Sequence, residues 1–388
     1  MQTFESLGVP SGIVDALRAQ GITTPFPIQV LTLADGLAGR DVTGRAQTGS
    51  GKTLAFGIPM LVRAGAGAPR KPAGLVLAPT RELAAQITAE LAPLGAAVGA
   101  RVGVVHGGAP MDPQIKALQR GVDVLVATPG RLIDLIRRGA VGLEGVKVVT
   151  VDEADRMADL GFLPPVEWLL RHIPTGFQMM LFSATLDGAV ARLAQRMVDP
   201  SVHAVEDASP TVEAMTHRFL KVHYMDKAKV VARIAEANGR TLVFCRTKRT
   251  CDKVLRDLVD LGVMASAIHG DLPQPQRERA LARFADGTRP VLVATDVAAR
   301  GIHVDEVNAV VHYDPPEDHK AYLHRSGRTA RAGADGLVVC LVEWDQELDV
   351  RRVQRRLGLS ELPLVSMFSN DARLDDLAAW DPIVEVVA

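Results

Sequence analysis

Cysteine, aromatic residues and surplus charge are all scarce in this chain, and each shortage excludes something. Three cysteines, Cys245, Cys251 and Cys340, are spread over 388 residues without CxxC or Cys/His spacing. That excludes a disulfide framework and a thiolate metal cluster, and it fits reduced thiols in a cytoplasmic protein. Aromatics make up 4% of the residues, and 44 Lys and Arg nearly balance 45 Asp and Glu. A net charge of −1 provides no global field for nucleic acid, so any such contact must come from a local, arginine-lined surface. No apolar stretch approaches the ~18 residues of a membrane-spanning helix. The N-terminus lacks a basic region followed by an apolar one, so no membrane association is expected.

What is present is alternation. Short β-branched runs give strands near Val42–Gly44, Leu75–Ala78, Val102–Val105, Val122–Ala127, Val146–Val151, Met179–Phe182 and Val202–Val205. A second series falls near Thr216–Val222, Thr241–Phe244, Ala265–His269, Val291–Ala294, Ala309–Tyr313 and Leu337–Leu341. Runs this apolar, separated by Ala/Leu-rich helical stretches, predict an α/β fold of mostly parallel strands covered by helices on both faces. The length suits two domains. The polar, proline-containing stretch Glu206-Asp207-Ala208-Ser209-Pro210-Thr211 is the natural linker. The expected division is a first domain over 1–205, a linker over 206–212, a second domain over 213–359, and an acidic, apolar tail over 360–388 whose role the sequence leaves open.

The strongest local signal is Ala46-Gln47-Thr48-Gly49-Ser50-Gly51-Lys52-Thr53, between an expected strand and an apolar helical run. Ala46 stands where the phosphate-loop pattern begins with Gly, but the physical requirements survive. Gly49 and Gly51 let backbone N–H groups of Gln47, Thr48 and Ser50 curl around phosphates at a helix N-terminus. Lys52 would reach the β- and γ-phosphates of ATP, and Thr53 would ligate Mg²⁺. Such a loop needs an acidic partner at another strand end, and Asp152-Glu153-Ala154-Asp155 follows the Val148–Val151 run. Asp152 would hold Mg²⁺, and Glu153 would orient and deprotonate the attacking water. Alone, an acidic cluster there would be a solvated helix start; downstream of a phosphate loop the catalytic reading is preferred.

Asp152-Glu153-Ala154-Asp155 also spells the signature of the DEAD-box ATP-dependent RNA helicases, and the chain resembles that family from about Phe4 to about Leu357, with motifs in the family's order. The resemblance implies two tandem RecA-like domains. Gly21-Ile22-Thr23-Thr24-Pro25-Phe26-Pro27-Ile28-Gln29 is similar to the family's adenine-reading motif, with Gln29 on the base edge and Phe4 as the isolated upstream aromatic. Ile22 stands where an aromatic often packs on the base, and Phe26 replaces the usual Thr. Pro79-Thr80-Arg81, Gly107-Gly108 and Thr128-Pro129-Gly130-Arg131 match the first domain's RNA motifs. Contacts of this kind go to phosphates and carry no base information. Ser183-Ala184-Thr185 resembles the motif that couples hydrolysis to strand separation, its hydroxyls bonding the turn that contains Asp155.

In the second half, Leu242-Val243-Phe244-Cys245 with Arg246, Gln274-Pro275-Gln276-Arg277 and Ala294-Thr295-Asp296 match the second set of RNA motifs. His324-Arg325-Ser326-Gly327-Arg328-Thr329-Ala330-Arg331 is similar to the arginine-finger motif. Three residues apart, Arg328 and Arg331 would share a helical face and point into a cleft between the domains. His303 occupies a position usually held by Asp and associated with the ribose. An imidazole hydrogen-bonds a hydroxyl but supplies no fixed negative charge.

The expected function is therefore an RNA-dependent ATPase that clamps single-stranded RNA across two domains and unwinds short duplexes by ATP-driven closure, with ATP and Mg²⁺ as cofactors. RNA is the expected partner, with protein partners supplying specificity and a monomer as the default state. The alternative is an RNA clamp or scaffold with weak turnover. A DNA translocase and a metabolic P-loop kinase rank lower, the first because of Gln29 and the Asp152 signature, the second because of the repeated half.

Overall fold

The computed structural model describes residues 2–46, 49–186, 188–205, 215–299, 307–329 and 336–383. Gln47, Thr48, the linker over 206–212, His303 and Arg331 lie outside the described residues. The chain divides into two compact units, Met1–Asp207 and Ala208–Ala388.

The first unit holds strands β1 (Val42–Arg45), β2 (Gly74–Leu77), β3 (Val102–Val105), β4 (Val124–Ala127), β5 (Val148–Val151), β6 (Gln178–Ser183) and β7 (Ser201–Ala204). They form one parallel sheet in the order β3-β4-β2-β5-β6-β1-β7. Every residue of β2, β4 and β5 is buried, which explains why these runs are apolar without alternation. Successive side chains feed opposite faces. Val76, Val126 and Val148 pack with Phe56 and Ile87, whereas Leu77, Leu125 and Val149 pack with Leu132, Val166 and Leu169. Helices therefore cover both sides.

The second unit repeats the plan. Strands β8 (Met215–Lys221), β9 (Thr241–Cys245), β10 (Ala265–Ile268), β11 (Val291–Thr295), β12 (Ala309–His312), β13 (Gly336–Val342) and β14 (Leu364–Ser366) lie in the order β10-β11-β9-β12-β13-β8-β14. All neighbours are again parallel. Adding seven to each strand number of the first sheet reproduces the second.

All the expected strands are present, and β14 joins them from the stretch the sequence left unread. It pairs with β8 through Leu364↔Phe219. Beyond it Leu374 and Leu377 are buried in the second unit's core. The Arg218 guanidinium donates to the carbonyls of Leu377 at 2.8 Å and Ala378 at 3.1 Å. The segment from 360 to 383 thus completes the second unit. Among the described residues no helix is long and apolar enough to cross a membrane.

Candidate nucleotide and RNA sites

In both sheets the residues singled out by sequence gather at the carboxyl ends of the strands, where open α/β sheets bind ligands. In the first unit the phosphate loop follows β1, Asp152 and Glu153 follow β5, and Ser183 ends β6; these three strands are neighbours. Thr80-Arg81, Gly107-Gly108 and Thr128–Arg131 follow β2, β3 and β4, the other three neighbours. The candidate nucleotide residues thus fall on one half of the sheet end and the candidate RNA residues on the other.

Lys52 opens the helix Lys52–Arg63, and Gly51 before it has φ 83°, as does Gly49. Both turns are left-handed and favour glycine. Lys52 is buried, and its Nζ donates to the Ala46 carbonyl at 2.9 Å, so the loop holds its own lysine until a phosphate replaces that acceptor. Gln29 is fully buried in the helix Pro27–Ala38. Its Oε1 accepts from the Phe26 N–H and its Nε2 donates to the Gly51 carbonyl, each at 2.9 Å. Each amide atom keeps one hydrogen-bonding position beyond these. Gln29 is therefore first a tie between two loops. Phe26 is 53% exposed beside Gly51. Ile22 packs half-buried against the core. Phe4, expected at the nucleotide, is 1% exposed inside the core, which leaves no ring face for a base.

Asp152 and Glu153 are both buried at the end of β5. The Glu153 N–H donates to Asp152 Oδ1 at 2.9 Å, and Arg156 Nη1 donates to Glu153 Oε2 at 3.0 Å. Glu153 has φ 48°, an unfavourable conformation for a side chain this long. That turn starts the short helix Ala154–Asp159 and, with Arg156, fixes where the carboxylate points. Burial pushes the Asp152 carboxyl up to about 6, with repulsion from Glu153 and against the pull of Lys52. A buried carboxylate of this kind would suit a divalent cation, with Thr53, one residue after Lys52, as the candidate second donor. Among the described residues no group of three or more His, Cys, Asp or Glu side chains is placed to hold a metal, so Mg²⁺ would also need phosphate oxygens and water. Ser183 Oγ accepts from the Asp155 N–H at 3.1 Å, as the sequence suggested. Thr185 has no hydrogen bond among the described residues, so the expected pair of hydroxyl contacts reduces to one.

On the RNA half, Thr80 caps the helix Arg81–Ala97 by accepting from the Leu83 N–H at 3.3 Å, which leaves its hydroxyl proton available to donate. Thr128 caps the helix Pro129–Arg137 without a side-chain bond, and Pro129 is buried at its first turn. The Arg81 guanidinium lies against Gly108, where a Cβ would collide with it, and Gly108 has φ 79°. Arg131 Nη1 donates to the Ala109 carbonyl at 3.2 Å. Both arginines therefore converge on the Gly107–Gly108 loop, while Gly130 has open space around it.

In the second unit the Arg246 N–H donates to Asp314 Oδ2 at 2.7 Å, and Thr295 is buried at the end of β11. Asp296, expected at RNA, is held instead by Arg325, whose Nε and Nη2 each donate to one carboxylate oxygen at 2.6 Å. A third donation, Arg325 Nη1 to the Asp314 carbonyl at 2.7 Å, ties the ends of β11 and β12 together. Gln274 and Arg277 sit on the first turn of the helix Gln274–Ala285, Arg277 buried. His324 is exposed on the helix His319–Ser326. That helix stops at Ser326: beyond it the N–H groups of Arg328 and Thr329 donate to Arg325 O and Ser326 O, three residues back instead of four. Arg328 is therefore in the turn beyond it, and the shared helical face expected for Arg328 and Arg331 does not exist at Arg328. Three further residues take positions equivalent to first-unit motif residues. Thr247 caps its helix by accepting from the Thr250 N–H at 3.1 Å, as Thr80 does, and His269-Gly270 follows β10 as His106-Gly107 follows β3. The repeated His-Gly after a β-run was the signal in the sequence.

A phosphate loop beside an acidic strand end, in a parallel sheet that the chain then repeats, defines a tandem RecA-like nucleotide-binding protein. The family model described as DEAD/DEAH box helicase matches residues 26–193, and that described as Helicase conserved C-terminal domain matches 226–333. The chain is 41% identical over 345 residues to the DEAD-box ATP-dependent RNA helicase CshA of Geobacillus kaustophilus, covering 88% of this chain and 74% of that one. It is 40% identical over 387 residues to the ATP-dependent RNA helicase RhlB of Shigella flexneri, covering 97% and 91%. The structure of S. cerevisiae Dbp5 bound to RNA and ADP BeF3 superposes with a TM-score of 0.82 at 28% identity, covering all of both chains. This chain belongs to the DEAD-box ATP-dependent RNA helicase family.

Proposed function

We propose that the chain is an RNA-stimulated ATPase that grips single-stranded RNA across its two units and opens short RNA duplexes as the units close on ATP. The observation that supports this most is the division of the first sheet end. Nucleotide-type motifs occupy β5-β6-β1 and backbone-binding motifs occupy β3-β4-β2, and the second unit repeats the latter on β10-β11-β9. One rigid sheet thus has room for both ligands side by side.

In this reading Lys52 leaves the Ala46 carbonyl for the phosphates, with the amides of Gly49–Gly51 and the helix N-terminus around them. Gln29 and Phe26 meet the adenine. Thr53 and Asp152 would hold Mg²⁺, which when bound offsets the phosphate charge. Glu153, aimed by Arg156, orients the attacking water and takes its proton. Thr80, Arg81, Thr128 and Arg131 hold RNA phosphates in one unit, and Arg246, Gln274, Arg277 and Thr295 do so in the other. Arg328 and Arg331 come from the second unit, so hydrolysis waits for closure; an arginine finger is worth roughly 10³–10⁵ in rate. The hydrogen bond from the Asp155 N–H to Ser183 Oγ links the hydrolytic turn to β6. His303 takes the ribose side, and protein partners supply target choice.

The test is ATP hydrolysis with single-stranded RNA, with equal DNA, and with neither, using Glu153→Gln as the blank. Stimulation by RNA alone, lost in the variant, is expected. Tight RNA binding without stimulated turnover would instead leave an ATP-regulated RNA clamp.

A further inference from the structure

Strand β10 ends its sheet, so among the described residues its outer edge pairs with no other strand. Its residues Ala265-Ser266-Ala267 are small, and beside them lies an open cavity of about 380 Å³. Two helices flank it on opposite faces of the sheet. Ala265 and Ala267 belong to the cluster containing Cys251, Val254 and Leu258 of the helix Lys248–Asp260. Ile268 packs instead with Phe284 of the helix Gln274–Ala285.

The second helix divides its faces cleanly. Arg277, Leu281 and Phe284 turn inward, whereas Gln276, Arg279, Ala280 and Arg283, at i, i+3, i+4 and i+7, line the cavity. Arg289 crosses the edge and donates to the Ala265 carbonyl at 2.6 Å. Among the described residues, none of Arg279, Arg283 and Arg289 is in an ion pair. The one acidic lining residue, Asp252, already meets His269 Nε2 at 3.0 Å. In a chain of net charge −1, three guanidiniums, with Asp286 near Arg283, make the groove at this strand edge locally positive.

We infer that this groove binds an extended acidic peptide segment of a partner protein, which adds to the sheet as a strand beside β10. Four residues of edge span about 13 Å, and Arg289 must release the Ala265 carbonyl for an added strand to pair along all of it. Alternate side chains of an added strand point to opposite faces. One set meets Leu255 and should be apolar; the other meets Arg279 and Arg283 and should be carboxylates, which guanidinium forks hold well. Peptide is favoured over RNA because a strand edge offers N–H and C=O groups in turn. A peptide backbone complements both, whereas phosphate oxygens only accept, and the edge carbonyls and Asp252 repel them.

The probe is a fluorescein-labelled peptide alternating Val and Glu over eight residues, measured by anisotropy against the full chain, with amide NMR shifts to locate it. Binding that moves the Ala265–Ile268 amides is expected. It should weaken at least tenfold when Glu is replaced by Gln and in the double variant Arg279→Glu, Arg283→Glu. It should vanish when alternate peptide nitrogens are methylated, since these donors pair with the edge. Both arginines are exposed, and an unchanged melting temperature verifies the variant's fold. Absence of binding, equal binding by the methylated peptide, or equal binding to the double variant would overturn the inference. Displacement of the peptide by a ten-nucleotide RNA, with the same arginine dependence, would assign the groove to RNA instead.

Discussion

At the residue scale, Asp152 carries a cost that its function explains. Its folded carboxyl, raised to about 6 by burial, sits above the ordinary carboxylate value of 3.8. A raised folded pKa means that stability is fully present below the unfolded value and is lost as pH rises through about 6. Asp152→Asn removes the buried charge while keeping the shape. The variant should melt several degrees higher than the parent at pH 8 without ligand, and the gain should fade toward pH 4, where the parent's carboxyl is protonated. Scanning calorimetry across that range measures it; a gain that persists unchanged at pH 4 would refute the buried-charge account. The placement of Lys52, Asp152 and Ser183 at neighbouring strand ends was legible in the sequence because it depends on a few neighbours and one strand end. The buried tie of Gln29 to Gly51 and the sealing of Phe4 in the core depend on packing from distant segments, which spacing does not encode.

At the scale of elements, the pairing of Asp296 with Arg325 shows what motif reading leaves out. Asp296 opens the turn after β11, and Arg325 ends the helix after β12, yet the guanidinium grips both carboxylate oxygens and is 4% exposed. Removing one partner of a buried pair leaves an uncompensated charge, typically at about 3–5 kcal/mol. Asp296→Ala should therefore destabilise the second unit by that order in urea unfolding and lower RNA-stimulated hydrolysis by displacing the loop that carries Arg328. A loss of RNA affinity at unchanged stability would restore the direct RNA contact that the sequence suggested. Strands were easy to read because parallel strands buried on both faces are written as uninterrupted apolar runs. Strand β14 was not, since two half-buried residues and an exposed serine at a sheet edge carry no period. The end of the helix at Ser326 was missed for a similar reason: the backbone turn bonds of Arg328 and Thr329 that close it are not revealed by a list of arginines.

At the scale of the whole molecule, the identical strand order of the two units has an energetic consequence. Each sheet carries its candidate RNA residues at its carboxyl end, but among the described residues the phosphate loop belongs to the first unit alone. The equivalent lysine of the second, Lys227, opens the helix after β8 and is buried against Glu343 at 3.0 Å and the Tyr313 ring at 4.6 Å. If the first sheet end holds nucleotide and both sheet ends hold RNA, as proposed, a state that engages both units couples the two ligands. Such coupling is reciprocal: the factor by which nucleotide tightens RNA must equal the factor by which RNA tightens nucleotide. In the Glu153→Gln chain, which holds ATP without turnover, RNA affinity with and without saturating ATP should differ by about 5–150-fold, the usual span of allosteric coupling. ATP affinity with and without saturating RNA should change by the same factor, with titration calorimetry supplying both limbs. Equal factors near one would mean that the two units bind independently, and closure would then have no thermodynamic basis.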